Sequence, residues 1–306
     1  MKRKVNRVGQ NTLTVSLPSE WARRQNVKAG DEIAITEQGS NLTLEPHPNH
    51  IETKIEFDVT DLKPRLVGWT IGMAYKQGYD VLKIKFNDYA IMDRIESEIE
   101  LCPGFELMEQ SRNECVIKNI AQDFTDEFEN AVRRNFLNSL AMIEACIEKI
   151  ESGEIDNILS LIKFEKFNNK LTHLCQRMIN TAQGEKKVFH YVIIWQIEKI
   201  IDEFKYICKS LSKQNINLSN EVIEIFKSIH QIFRLYYELY YTFTFEKLSA
   251  ITELHDKIKE TGHKLIEKQK SEENTIIHHL LSANHKIFEC IPSTFALDSK
   301  LYMRKN

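Results

Sequence analysis

Glycine is scarce, at 10 of 306 residues. The sequence holds no Gly-rich phosphate loop, no HExxH helix and no G-x-S-x-G elbow. A loop-built active site lacks its usual material, and no enzymatic chemistry is expected. Paired cysteines are also missing: Cys102, Cys115, Cys146, Cys175, Cys208 and Cys290 stand singly, without a CxxC. They read as buried apolar thiols in a reducing compartment, since a thiolate metal cluster would need convergence from distant elements. No apolar run reaches about 18 residues. The densest, Val188 to Ile201, is broken by His190, Gln196, Glu198 and Lys199, so no membrane insertion is expected. Lys2, Arg3 and Lys4 are followed by polar residues where a signal peptide needs an apolar core. The chain is accordingly read as cytoplasmic, without a secretory signal.

What is present is enough for two or three hydrophobic cores, with 42% apolar and 28% charged residues. The charge is unevenly spread. Residues 1–30 carry Lys2, Arg3, Lys4, Arg7, Arg23, Arg24 and Lys28 against Glu20 alone, or +6. The whole chain is −3, which leaves −9 for the remainder. A cationic field of this density attracts phosphates and gains from counterion release, so double-stranded DNA is the first partner considered.

Within this basic segment Leu13, Val15 and Leu17 alternate with Thr12, Thr14 and Ser16, the period of a half-buried strand. Pro18 suits the first position of a short helix through Arg24. After the Lys28–Asp31 turn, Glu32–Thr36 alternates again, and the Gln38–Asn41 turn leads into Leu42–Leu44. So small a module cannot enclose a stable core alone, and a homodimer is expected.

The pattern RKV…VG…VSLP..W…VK.GDE…L.LEP resembles the SpoVT/AbrB/MazE swapped-hairpin DNA-binding family. The resemblance implies two chains interleaved in one β-barrel, with Arg3, Lys4 and Arg23 at basic positions that the family uses on DNA. Lys2, Arg7 and Arg24 join the candidate DNA-binding set on charge. Where many members carry an arginine soon after the glycine, this chain has Gln10, Asn11 and Thr12. A dimerisation module with a solvated basic face is the competing reading.

Glu45-Pro46-His47-Pro48-Asn49-His50 reads as a linker. Between 51 and 120, Ile51–Phe57 and Val81–Phe86 alternate as strands, and Leu62–Lys76 and Tyr89–Leu101 have helical spacing. Glu106–Glu109 and Cys115–Ile120 form a hairpin about Ser111–Asn113. Gly68 and Gly72, at i and i+4, suit close packing on a sheet or second subunit; ligand sensing is the alternative. From Phe124 the pattern is helical, divided into about six helices at Gly153, Gly184, 214–219, 243–246 and 268–274. These would form two three-helix units. Phe233, Tyr236, Tyr237, Tyr240 and Tyr241 fall at i, i+3, i+4 spacing, as a core stripe does.

Ala131–Arg134, Ser152–Glu154, the Ile162–Leu171 helix and Gln196-Ile197-Glu198-Lys199-Ile200-Ile201-Asp202 resemble PhoU-type phosphate-uptake regulators. The three parts in this order are similar to archaeal regulators. The resemblance implies metal binding by E/D-x-x-x-D carboxylates on facing helices. Such i, i+4 carboxylates share a helix face and can converge on a divalent or ferric/zinc ion. Glu198 and Asp202 have this spacing. At about 100° per residue they lie about 100° and 140° from Ile197, at the edge of the apolar stripe. The corresponding Glu165-Lys166-Phe167-Asn168-Asn169 keeps one carboxylate, and the second half has no clean pair around His255, Asp256 and Glu260 or in the terminal helix. The candidate metal set is Glu198, Asp202 and Glu165; an ion-paired surface with Lys199 and Lys205 is the favoured alternative. His278 and His285 share a face at i and i+7 and read as structural.

The expectation is a multidomain α+β protein. Residues 1–46 form an AbrB-like swapped-hairpin β-barrel half, 51–120 a small α+β middle domain, and 124–302 an all-α PhoU-like bundle of about six helices. The expected function is a DNA-binding transcriptional regulator of phosphate uptake. The alternative is a non-DNA-binding adaptor acting on a phosphate transporter or its sensor partner.

Overall fold

A computed structural model describes residues 2–38, 41–45, 52–121, 127–181, 187–213, 218–268 and 272–297. The linker at 46–50, Gly184 and the segments 214–217, 269–271 and 298–306 lie outside these. The chain divides into two compact units, Met1–Glu52 and Thr53–Asn306.

In the first unit β1 (Val5–Val8) and β2 (Thr12–Val15) form an antiparallel hairpin that pairs Val5 with Val15 and Arg7 with Leu13. Gly9 opens the turn at φ 70°, in the left-handed region that glycine enters without strain. A short helix, α1 (Ser19–Arg24), follows. Pro18 stands before it in extended conformation, not in its first turn, and Arg23 and Arg24 occupy its last turn, where cations complement the helix dipole. β3 (Ala34–Gln38) and β4 (Asn41–Glu45) form the second hairpin. Strand β3 starts two residues later than the alternation suggested.

Among the described residues, the apolar side chains of both hairpins lie open. Val5, Val8, Leu13, Val15, Ile35 and Leu42 are each more than half exposed, from 55% to 67%. Two-stranded ribbons are marginal in water, and alternation here builds an apolar face without supplying what it packs on.

The second unit starts with β5 (Lys54–Asp58), α2 (Pro64–Lys76) and β6 (Val81–Lys85), then a 3-10 turn at Tyr89–Ile91, α3 (Met92–Ile99) and the hairpin β7 (Phe105–Gln110) and β8 (Glu114–Asn119). The sheet order is β5-β6-β8-β7, parallel at β5–β6 and antiparallel elsewhere. Val67, Ile71 and Tyr75 of α2 are fully buried with Leu82, Ile84, Ile95 and Ile117. Pro64 begins α2 where no backbone donor is needed.

The helices are α4 (Phe128–Ser152), α5 (Ile162–Thr181), α6 (Lys187–Leu211), α7 (Asn220–Tyr241), α8 (Phe245–Lys268), α9 (Asn274–Glu289) and α10 (Ile291–Leu297). Gly153 ends α4 at φ 74°, a left-handed cap, and a 3-10 segment at Ile155–Leu161 leads into α5. Helices α4, α5 and α6 pack on one another, as do α7, α8 and α9, with α6 against α9 and α4 against α7. The two three-helix units thus share one core. Six long helices lie where the sequence breaks placed them; the seventh, α10, follows a break at Cys290 that the sequence reading missed, next to Pro292. The aromatic stripe of α7 gathers about Phe136, with ring centroids 5.2 to 6.4 Å away. Among the described residues no helix is long and apolar enough to cross a membrane. All six cysteines are free and buried.

Arg177 of α5 ties the sheet module to the helices. Its guanidinium donates to the carbonyls of Tyr75 and Tyr79, both at 2.8 Å, and to Asp80 Oδ1 at 2.9 Å. It also lies over the Tyr75 ring, 5.0 Å from the centroid.

Candidate functional site

Two sets of residues carry the chemistry singled out in the sequence. The first is basic. Lys2, Arg3 and Lys4 lead into β1, Arg7 lies within it, and Arg23 and Arg24 close α1; all six are exposed. Among the described residues none of the six has an ion-pair partner. Unpaired, solvated cations pay little desolvation cost when they meet phosphate oxygens. The loop after α1 is locally fixed: Asn26 takes φ 54°, Val27 N–H reaches Ala22 O at 2.8 Å, and Lys28 N–H donates to Asp31 Oδ2 at 2.7 Å.

The second set is acidic and lies on α5 and α6. Glu198 and Asp202 are each 17% exposed at the edge of the buried stripe of α6, as their helical angles imply. Lys199 Nζ donates to Glu198 Oε1 at 2.7 Å and to Asp202 Oδ2 at 3.1 Å. Lys205 Nζ donates to Glu165 Oε1 at 2.8 Å and also to Asp202 Oδ1. The three carboxylates are therefore brought together through two ammonium groups. Burial works against the charge of Lys205, but hydrogen bonds and attraction from Asp202 and Glu165 outweigh it and raise its pKa. The same contest, with Glu198 and Asp202 as partners, raises Lys199.

Asn169 stands where a second carboxylate would complete the α5 motif, and its amide donates to Glu165 Oε1 at 2.9 Å. Its neighbour Asn168 is fully buried and bonded to Ser139 at 3.0 Å. Among the described residues no three His, Cys, Asp or Glu side chains form a set able to hold a metal ion. Each of the three carboxylates faces an ammonium group. In α9 His285 is exposed with Glu289 Oε1 at 3.2 Å, and His278 is exposed as well.

A further polar cluster was not legible as such. Glu203 Oε2 meets His279 Nδ1 at 2.6 Å, and Glu203 Oε1 accepts from Ser282 at 2.9 Å and Lys286 at 2.6 Å. Burial alone would raise the Glu203 pKa, yet these donors hold it at about 2. The Ser282–Lys286 spacing was the available signal, but Glu203 lies about 80 residues earlier.

Residues 7–52 match the family model described as antidote-toxin recognition MazE, bacterial antitoxin. Arg7, Arg23 and Arg24 fall inside the match; Lys2, Arg3 and Lys4 precede it. No curated protein sequence matches the chain. Among solved structures, the chain is similar to the phosphate transport system regulatory protein PhoU from Streptococcus pneumoniae. Identity is 14% and the TM-score 0.49, over 57% of this chain and 95% of that one. The amino-terminal unit is thus similar to the MazE antitoxin family over residues 7–52, and a sheet domain and a helical bundle follow it in sequence.

Proposed function

We infer that the protein is a DNA-binding transcriptional regulator that binds duplex DNA as a homodimer. The reading is carried by one observation: six exposed cations without an ion-pair partner among the described residues lie on or just before the MazE-like segment, whose hairpins leave their apolar side chains open. Covering those faces with a second copy supplies the core that one chain lacks. Full burial of a Val, Leu or Ile side chain is worth about 1.5–3 kcal/mol, so six half-exposed residues together contribute several kcal/mol to association. Arg3, Lys4, Arg7, Arg23, Arg24 and Lys2 then contact the phosphate backbone, and some reach base edges.

Regulation of phosphate uptake is the target assignment, supported by the PhoU-type pattern of Gln196–Asp202 and its neighbours. A map of genomic DNA bound by the protein tests both statements. Enrichment at phosphate-uptake genes supports the assignment; enrichment elsewhere removes the phosphate part, and no enrichment removes DNA binding.

The second reading is an adaptor docking on a phosphate transporter or its sensor partner through the acidic remainder of the chain, which carries −9. It predicts dimers that ignore DNA. A metal ion at Glu165, Glu198 and Asp202 would have to displace Lys199 and Lys205. Elemental analysis of protein purified without added metal separates the ammonium-filled state from an ion-filled one.

A further inference from the structure

Between the sheet module and helices α5 and α6 lies a cleft of about 700 Å³. That is the size of pockets that hold small organic ligands. Gly72 of α2 lines it, and Gly68 lies one helical turn earlier. A Cβ on Gly68 would stand 1.8 Å from an Arg94 guanidinium nitrogen, and one on Gly72 2.8 Å from Glu98 Oε1 and 3.6 Å from the His173 ring. The bare helix surface lets the Arg94–Glu98 pair lie across α2 and brings His173 of α5 close.

Aromatic surface flanks the opening. Trp69 of α2 and Trp195 of α6 both line the cleft while remaining 55% and 46% exposed, and Tyr191 lies one helical turn before Trp195. Arg65 already lies over the Trp69 ring, 4.9 Å from its centroid, yet both tryptophans keep about half of their surface open, and aromatic area of this kind favours a stacking partner.

The polar groups are not all used. Gln176 lines the cleft and is only 1% exposed, and among the described residues its Oε1 has no hydrogen-bond partner. Asn169 Oδ1 is likewise buried without a partner among the described residues. An orphaned buried amide costs free energy that a bound ligand or ordered water recovers.

The charges set the sign of the ligand. Both carboxylates on the wall are spent: Glu98 on Arg94 at 2.6 Å and Glu198 on Lys199 at 2.7 Å. Lys76 also lines the cleft, and among the described residues its ammonium has no ion-pair partner. A cationic ligand would meet an uncompensated ammonium; an anionic one would pair with it.

We propose that this cleft binds a small aromatic anion, its ring stacked between Trp69 and Trp195 and its anionic group on Lys76, with the amide of Gln176 bonding its polar atoms. Carboxylates and phosphate esters of planar rings share this chemistry. The proposal concerns the second unit and does not rest on DNA binding.

The test uses the full chain labelled with 5-fluorotryptophan, titrated separately with adenosine monophosphate and indole-3-acetate to about 5 mM. The three tryptophans include Trp21 in the other unit as an internal reference. The expected result is saturable movement of the Trp69 and Trp195 fluorine signals by one or both probes, with Trp21 unmoved. Which probe acts distinguishes a phosphate ester from a carboxylate. Adenosine and inorganic phosphate, each lacking half of the recognised chemistry, should bind at least about tenfold more weakly. Lys76→Met, at a half-buried surface position, should weaken the active probe about tenfold. No movement with either probe overturns the proposal. So does equal movement of all three signals, or affinity unchanged in a folded Lys76→Met variant.

Discussion

Arg177→Ala should be the most damaging single change outside the apolar core. The side chain is 9% exposed and supplies three hydrogen bonds, at 2.8, 2.8 and 2.9 Å, to Tyr75 O, Tyr79 O and Asp80 Oδ1. Its removal leaves two carbonyls and a 3%-exposed carboxylate without their cation. Breaking a buried pair from one side costs about 3–5 kcal/mol, and the lost stacking over Tyr75 adds about 1 kcal/mol. Thr53 still donates to Asp80 Oδ2 from its backbone at 2.8 Å and its hydroxyl at 2.7 Å, which holds the cost to about 3–4 kcal/mol. Arg177→Lys should recover less than half, because an ammonium cannot match a planar fork serving three acceptors. The double variant with Asp80→Asn should lose less than the sum of the singles, since one buried charge no longer outlives the other. Urea unfolding followed by far-UV circular dichroism reads each value from the midpoint at unchanged slope. A loss under about 1 kcal/mol for Arg177→Ala, or strict additivity with Asp80→Asn, would mean that the Arg177 bridge does not hold the sheet module to the helices.

Acid should destabilise the fold in two windows. Burial, with Lys76 nearby, lowers the His173 pKa from 6.5 to about 4, so the unfolded chain takes up a proton first and stability falls as pH drops from about 6.5 to 4. Glu203 is held at about 2 against an ordinary 4.5, so its contribution, present above 4.5, is lost between about 4.5 and 2. Each amounts to about 3 kcal/mol; His173→Leu should flatten the upper window and Glu203→Gln the lower, and melting curves across pH that keep both slopes would count against the assignments. Lys205→Met should cost about 2 kcal/mol by leaving Glu165 and Asp202 short of a cation, while wild-type protein purified without added metal should carry well under one equivalent per chain. A full equivalent by elemental analysis would displace the lysines from that role. Leu13→Asp should shift the protein from dimer to monomer in sedimentation at micromolar concentration, with the helical circular dichroism signal retained; an unchanged dimer would place the subunit contact elsewhere.

Periodicity carried most of the architecture, because alternation and helical spacing report directly on which face of an element is buried. The strands of the sheet module, its hairpin turn at Ser111–Asn113 and the six long helices all lie close to their expected spans. Element ends were less legible: β3 starts at Ala34, not Glu32, since turn residues can share strand-like alternation. The Lys199 and Lys205 bridges could be anticipated because i, i+3 and i, i+1 neighbours on α6 lie within reach. Arg177 with Asp80, 97 residues apart, could not, as nothing local in either segment encodes the other. The cleft was hinted at only by Gly68 and Gly72, whose spacing fits tight packing equally well. Its polar wall comes from Lys76, His173 and Gln176, which meet only in three dimensions.

On the proposed reading, the exposed cations of the first unit bind duplex DNA. Equilibrium binding of a genomic duplex by the full chain, measured from about 50 to 200 mM salt, tests it most directly. Each phosphate neutralised contributes a slope of about −0.9 in log K against log salt. Replacing Arg3, Lys4 and Arg23 with Ala should flatten that slope by about 2.7 per chain engaged and abolish retardation at moderate salt, with the dimer intact. Equal affinity and equal slope for the wild type and this triple variant would contradict the account.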